Sequence, residues 1–579
     1  MANIAPGAYI TEVDQTANTA SVNSSVCGSV GQFKWGPVGK QTAIQSISDL
    51  QSTFGKPTLT VYQDFFSAYS FLSYSSPLVL VRVVDSTARN ATTAASASLI
   101  RNQSEFDNLY TTNEGEDFIA KYPGDLGNSI RVVVMDHATF AGAPGGVKAK
   151  LVSAPGTSDY AYNIGYNLSA GDDATRKAIG MIMLDEVHVA VIDANGLFSG
   201  IPGTILELFP FLSKAVDGLD SDGNSVYYKK YINKNSKYVY ATGTLSTQDV
   251  SRSIRGVTPV PFVPFTEIYD ETLALGVDGN TPGADDYIDG WNLFKDDDQL
   301  IEASLHYIGE AGGNGNKVVV YQNVIDNIVP VNPKTETCIS VRKDDINGKS
   351  QSDGLIGIKS FVTALARSTS YGVVDSGWKT MFDPYNDRSI AIPCDADIAG
   401  LMAHTDSVAG PYYSPAGKTR GYLRNITGLL WTPKAPIRGE LDALRVNPVI
   451  ADSSGFLLFG DRTAFAKDSV FSYINVRRLF NYLKAKCSTP LIQTLFEFND
   501  SFTRRQFVNS INPDLSFIKS NRGIIDYQIV CDDTNNTADI VDKGEFVADV
   551  YIKAGRSIQV ARLRLTAVNS GVSFTETTQ

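Results

Sequence analysis

The sequence predicts a multi-domain chain of α/β plus β class: an α/β unit interrupted by a β-rich insertion, a C-terminal α+β unit, and extended N- and C-terminal arms. Three observations carry this. Two continuous β-branched runs, Pro77–Val84 and Lys317–Gln322, flank a stretch of short strands separated by Gly, Pro and Asp turns. Such runs mark strands buried on both faces of a parallel sheet. Toward the C-terminus the apolar spacing becomes helical and then strictly alternating. Finally, 579 residues at roughly 150 per domain allow about four structural units.

The elements follow in order. Residues 1–22 hold Pro6, Gly7 and the alternating stretch Tyr9, Ile10, Thr11, Glu12, Val13, without helical periodicity. Twenty extended residues at ~3.3 Å each span on the order of 65 Å, enough for an arm to reach a neighbouring subunit. A frayed terminus with one edge strand is the alternative. The α/β unit is expected over 23–91 and 241–470, beginning with an apolar segment at Val26–Phe33. A helix is expected over Asp64–Tyr74, where Phe65, Tyr69 and Leu72 have helical spacing, and the Pro77–Val84 strand follows. Ser86–Ser98, almost all Ser, Thr, Ala, Asn and Arg, reads as a linker or a weakly constrained segment. Residues 92–240, with strands at Ile130–Met135 and His188–Ile192 and turns such as Ala143–Gly146, read as a β-rich insertion, a sandwich. The α/β pattern resumes with a strand at Lys317–Gln322, a helix at Leu355–Leu365 and a strand at Tyr371–Val374.

Residues 471–568 form the C-terminal unit. Val476, Leu479, Phe480, Leu483 and Cys487 make one apolar helical stripe, while Arg477, Arg478, Asn481, Lys484 and Lys486 cover the rest, so a basic outer face is expected. A second helix is expected from the Asn499/Asp500 cap to Ser510, with a break at Pro513 before Leu515 and Ile518 continue. Strands are expected at Ile524–Cys531, Glu545–Lys553 and Ser557–Val568. In the last, Ile558 and Val560 take one phase and Leu563 and Leu565 the other, which implies a bulge near Ala561. Residues 569–579 read as the second arm.

Composition excludes several function classes. Fifty Lys plus Arg against sixty-two Asp plus Glu give −12, the wrong sign for a nucleic-acid-wrapping protein. Five dispersed cysteines without C-x-x-C and four scattered histidines without H-E-x-x-H argue against a disulfide framework or metal site. The N-terminus lacks a basic n-region and an apolar h-region, and no run of eighteen apolar residues occurs, so folding in the cytoplasm without a membrane span is expected. Gly309–Lys317 lacks the G-K-[ST] of a phosphate loop and reads as a loop before the Lys317 strand. Asp220–Gly223 reads as a turn, since Gly218 and Lys229 stand where a calcium loop needs carboxylates. Asp296–Asp298 near Glu302 reads as a solvated helix start, and Gly-x-Ser-x-Gly is absent. No catalytic, cofactor-binding or metal-ligating residue is expected.

Four stretches resemble the tail sheath proteins of contractile-tailed bacteriophages, the T-even-like sheaths most closely. Pro6–Glu12 is similar to the family's Pro-Gly-x-Tyr-x-x-Glu opening, and Tyr122–Arg131 to a motif of its inserted unit. Residues 395–421 carry Ala-Gly, a later Asp, Gly-Pro, Ser-Pro-Ala-Gly and Arg-Gly in the family's order. Tyr473–Phe480, Phe496–Asn499, Arg522-Gly523, Cys531-Asp532 and Asp542–Gly544 resemble its C-terminal domain. The resemblance implies a subtilisin-like α/β domain, in fold only, an outward-facing β-sandwich insertion and a C-terminal domain facing the tail tube. It also implies a virion component, assembled in the host cytoplasm, in which hexameric rings stack around the tube between baseplate and tail terminator. No direct nucleic-acid contact or stable membrane insertion is implied.

The family's arms add strands to neighbouring subunits, which assigns Tyr9, Ile10, Val13, Ile558, Val560, Leu563 and Leu565 to inter-subunit pairing. Residues 471–579 carry 13 Lys plus Arg and 11 Asp plus Glu, against −14 for the remainder. That makes Arg477, Arg478, Lys484 and Lys486 candidates to face an acidic tube, the alternative being a solvated helix face or partners for Glu497 and Asp500. Two other readings are the sheath of a related contractile injection system and a hydrolase on a subtilisin-like scaffold. Against the latter, neither Gly-Thr-Ser-x-Ala nor a His-Gly-Thr context occurs.

Overall fold

A computed structural model describes residues 24–109, 117–156, 184–216, 218–220, 222–243, 262–295 and 302–559. The described chain opens with β1 (Cys27–Gly31), β2 (Gln41–Ile44), α1 (Ile47–Phe54), α2 (Gln63–Leu72) and β3 (Leu78–Arg82). β1 and β3 pair in parallel, and β2 runs antiparallel to β3 at the sheet edge. Every residue of β3 is buried, as a run apolar on both faces requires. Leu78 and Leu80 enter one core, Val79 and Val81 the other.

The next segment contributes β4 (Phe118–Ala120), β5 (Ile130–Met135), β6 (Glu186–Asp193), β7 (Thr204–Ser213), α3 (Tyr228–Asn235), β8 (Val239–Ala241) and β9 (Tyr269–Thr272). Four of these form an antiparallel sheet ordered β7-β6-β5-β9, and β4 pairs with β8 in a ribbon. Val132 and Val134 of β5 pack with Phe118, Val239 and Ile232 on one face, while Val133 and Met135 pack with Val147 on the other. The expected end of the insertion at 240 is corrected, because β9 pairs with β5 over Tyr269–Thr272. β9 is largely exposed and so leaves no apolar signature. Ser86–Ser98 is corrected from linker to bound segment. Arg89 and Thr92 bridge to Val277 and Ala274, and buried Asn90 bonds to Ile100 and Ala120. Arg82 ties this unit to the sheet, its guanidinium donating to the carbonyls of Phe33, Gly36 and Pro123 at 2.8 Å each.

The chain continues through α4 (Ala284–Asn292), β10 (Leu305–Tyr307), α5 (Asn314–Asn323), β11 (Glu336–Ser340), α6 (Gln351–Leu365) and β12 (Gly372–Asp375). Then come β13 (Trp378–Asp383), β14 (Arg388–Pro393), α7 (Asp395–Val408), β15 (Gly428–Leu429), α8 (Ala435–Ala443), β16 (Val446–Asn447), β17 (Val449–Asp452) and β18 (Gly455–Leu458). The main sheet runs β16-β12-β11-β10-β1-β3-β2, parallel except for β2. Strands from both sides of the insertion therefore share one sheet. α4, α5, α6 and α8 cover one face, and α1, α2 and α7 the other. α4 lies so close to β1 that a Cβ at Gly290 would stand 2.6 Å from a Val30 methyl.

The Lys317–Gln322 strand is corrected to helix α5. Gly312 and Gly313, with φ of +73° and +134°, turn the chain into it. Val320, Tyr321, Val324, Ile325 and Ile328 recur at helical spacing and are buried, whereas Val319 is 46% exposed. Packing of one helical face overrides the β propensity of a short Val run.

The C-terminal unit consists of α9 (Ile474–Gln493), α10 (Ser501–Ser520), β19 (Ile524–Val530) and β20 (Asp549–Ala554). Asp500 caps α10 by accepting from the amides of Phe502 and Thr503. The expected break at Pro513 is corrected, since α10 passes through it. Phe507, Ile511, Leu515 and Ile518 continue one buried stripe across the proline, and their burial offsets the lost backbone bond. β20 is shorter than expected at its start, although Phe546, Ala548, Val550 and Ile552 do pack inward as the alternation implied. All five cysteines are free: Cys27, Cys338, Cys394 and Cys531 are buried, and Cys487 is half-buried.

Candidate interaction site at the C-terminal helices

α9 buries Ile474, Val476, Leu479 and Leu483 through its apolar stripe. Its expected basic face is corrected, because Arg477 and Arg478 are only 6% and 5% exposed. The Arg477 guanidinium lies over the rings of Phe471 (4.2 Å) and Tyr371 (4.4 Å), and burial lowers its pKa. Arg478 sits between Asp406 of α7, to which it donates, and Glu336 of β11 at 3.8 Å. Its Nη2 also donates to the Ser24 carbonyl at 3.2 Å, and the Ser24 hydroxyl donates to Asp406 at 2.7 Å. Burial pushes the Glu336 carboxyl up to about 7 against the pull of Arg478 and Arg477, and raises Asp406 likewise. These two arginines dock the helix against its own chain rather than lying on its surface.

Lys484 is exposed, its ammonium donating to the Pro333 carbonyl (3.1 Å) and the Tyr371 hydroxyl (2.9 Å). Lys486 is partly buried, 4.0 Å from Asp514. One signal in the sequence pointed to the buried pairing. Glu336 stands beside the apolar Cys338 and Ile339 in a buried strand, where a lone carboxylate requires a counter-charge.

Asn475, one turn before Arg478, donates to the carbonyls of Tyr412 (3.3 Å) and Gly555 (3.2 Å). Beyond Gly555, Ile558 is 86% exposed and lies in no strand of its own chain. Tyr9, Ile10, Val13, Val560, Leu563 and Leu565 lie outside the described residues. β19 and β20 pair only with each other among the described residues. Their outer edges offer unpaired amides and carbonyls, the chemistry that accepts an added strand. A 620 Å³ pocket beside the hairpin is lined by Tyr412, Arg420, Asp461, Arg522 and Ile558, among others. Asp461 is buried, which pushes its carboxyl up to about 6. Where α9 turns into α10, Leu491, Ile492, Leu495, Phe496, Phe498 and Phe502 are exposed together, a run of apolar surface suited to protein contact.

The carboxyl ends of the parallel strands, where α/β proteins hold small ligands, are occupied differently. Asp64 accepts from the Gln32 amide (2.7 Å) and the Tyr287 hydroxyl (3.0 Å), Asp375 from Ser340 and Gly377, and Asp395 from Gly309. Burial pushes Asp64 up to about 6 and Glu310 up to about 7; both line a 300 Å³ pocket. Most of these carboxylates are committed to holding loops, and the Ser340 hydroxyl donates to Asp375 without a histidine base. Among the described residues no cluster of His, Cys, Asp and Glu is arranged to hold a metal, and no helix is long and apolar enough to cross a membrane.

Comparison with known proteins places this geometry. Residues 466–567, which contain both helices and the hairpin, match the phage tail sheath C-terminal domain family. The whole chain is 27% identical to the tail sheath protein of Vibrio phage KVP40, covering 100% of both. It is also 27% identical to the tail sheath protein of Enterobacteria phage T4, over 100% of this chain and 99% of that one. The crystal structure of a sheath tail protein from Listeria innocua superposes with a TM-score of 0.52 at 11% identity, over 92% of this chain and 95% of that one. That likeness shows a shared fold of mixed α/β content with several sheets.

Proposed function

We propose, from end-to-end similarity to phage tail sheath proteins, that the chain is a structural subunit of a contractile tail sheath and a component of a virion. Coverage of the full length in both directions carries the reading, because it includes body, insertion and C-terminal unit together. The subunits stack as hexameric rings around a tail tube, from the baseplate to a tail terminator, in a metastable extended lattice. Contraction drives the tube through the host envelope for genome ejection.

The structure suits that work. Two hydrophobic cores on opposite faces of the seven-stranded sheet make the α/β body a stiff block. Helices on both faces of that mainly parallel sheet support a subtilisin-like fold, and the committed carboxylates support a scaffold without hydrolytic chemistry. The open hairpin edges support strand addition by the arms of neighbouring subunits. An arm pairing over about six residues gains about six backbone hydrogen bonds at roughly 1 kcal/mol each. Such tethers hold while stiff bodies rotate past one another. Facing an acidic tube now falls to Lys484 and Lys486, since Arg477 and Arg478 are enclosed.

Negative-stain microscopy of the purified protein tests the reading. Long hollow tubes are expected. Monomers that never polymerise, even with tube and baseplate supplied, would overturn it.

A further inference from the structure

We propose that the first turns of α9 are a common seat for both ends of the chain, with Arg478 and Asn475 as positioning residues through which a pull on one end loosens the other. The inference rests on the sheath reading only in supposing that both ends bear load between subunits. Arg478 holds the segment that enters the sheet, by its bond to the Ser24 carbonyl and through Asp406, which also accepts from the Ser24 hydroxyl. Asn475 holds the segment that leaves the hairpin, by its bond to the Gly555 carbonyl. The two residues stand at i and i+3, on one side of one helix. Residues 24 and 555, at opposite ends of the described chain, thus meet on a single turn.

That turn is itself fixed from three directions. The Ile474 amide donates to the Asp461 carbonyl (3.3 Å), Asn475 donates to the Tyr412 carbonyl (3.3 Å), and Glu336 faces Arg478 from β11. A displacement of α9 that lengthens the Asn475–Gly555 bond therefore also draws Arg478 out of its site between Asp406 and Glu336. The coupling needs no large motion, because a hydrogen bond weakens over a few tenths of an ångström and both bonds ride on one rigid element.

Hydrogen exchange on the dispersed full-length chain tests this, with Ser24→Ala, Asn475→Ala, their double variant and Ser24→Thr. Reporters are the Gly555 amide, bonded to Gly523, and the Cys27 amide, bonded to Pro77. Asn475→Ala is expected to speed exchange at Gly555 about fivefold, the factor one hydrogen bond sets, and at Cys27 by about twofold. Ser24→Ala is expected to do the reverse. The double variant should fall short of the product of the singles. Ser24→Thr, which keeps the hydroxyl, should match the parent. β5 and β6 amides serve as the control and should not change. Variants that each affect only their own end, with factors that multiply, overturn the coupling. So does a uniform rise that includes β5 and β6, which reports general loosening. Tubes formed by a chain with uncoupled ends would refute this inference alone, whereas coupled ends in a chain that never forms tubes would refute the sheath reading alone.

Discussion

At the scale of single residues, Arg478 and Glu336 matter most for what either would leave behind. Arg478→Ala strands Asp406 and Glu336 without their shared cation in a buried site. A loss of about 3–5 kcal/mol is expected, measured as a lowered urea midpoint. Buried acidic groups, Glu336 among them, set a pH dependence. Glu336 and Glu310 are pushed up to about 7, and Asp64 and Asp461 up to about 6, in each case chiefly by burial. Their unfolded values are near 4.5 and 3.8, so between those values and the folded ones the folded chain binds more protons than the unfolded chain. Their contribution to stability is thus complete below about pH 4 and declines until pH reaches about 7. The urea midpoint, followed by tryptophan fluorescence, should fall from about pH 5 to about pH 7. Glu310→Gln should flatten that slope; an unchanged slope would show that Glu310 does not contribute.

Among the elements, α5 shows both the power and the limit of pattern. Pro77–Val84 was legible as a strand because burial on both faces leaves only apolar residues. Lys317–Gln322 has the same composition but is half of a longer helical stripe that continues to Ile328, so a short window could not separate the two. The helix makes a clear prediction for neighbouring valines. Val320→Ala should cost about 2 kcal/mol, and Val319→Ala less than about 0.5 kcal/mol, in the same urea titration. A strand buried on both faces would make the two costs similar. Pro513 taught the opposite lesson: a strong local breaker was outweighed by Phe507, Ile511, Leu515 and Ile518 on one face. At α9 the spacing correctly separated apolar from polar positions. It could not say that Asp406 and Glu336, 72 and 142 positions away along the chain, would enclose the polar ones.

For the whole molecule, the interrupted organisation was legible because α/β patterning, as at Pro77–Val84 and Leu355–Leu365, stands on either side of short strands separated by Gly, Pro and Asp turns. The far edge of the insertion was not, since β9 is an exposed strand whose pairing with β5 only the folded chain reveals. The division into stiff bodies and tethers predicts what truncation does. Deletion of residues 1–15 should leave soluble, folded subunits that do not form sheath, read by circular dichroism and electron microscopy together. Unaltered polymerisation would refute the tethering role of that segment.

The cysteines carry a consequence for a particle that is built inside a cell and acts outside it. Air and oxidised thiols in the medium join exposed cysteines of adjacent copies. Covalent stitches of that kind would rivet one subunit to the next and jam a lattice whose purpose is to slide. Here four thiols lie buried and the fifth is half covered, with burial raising the pKa of each and so suppressing the reactive thiolate. Sheltered thiols of this kind keep the moving parts of such a lattice unwelded.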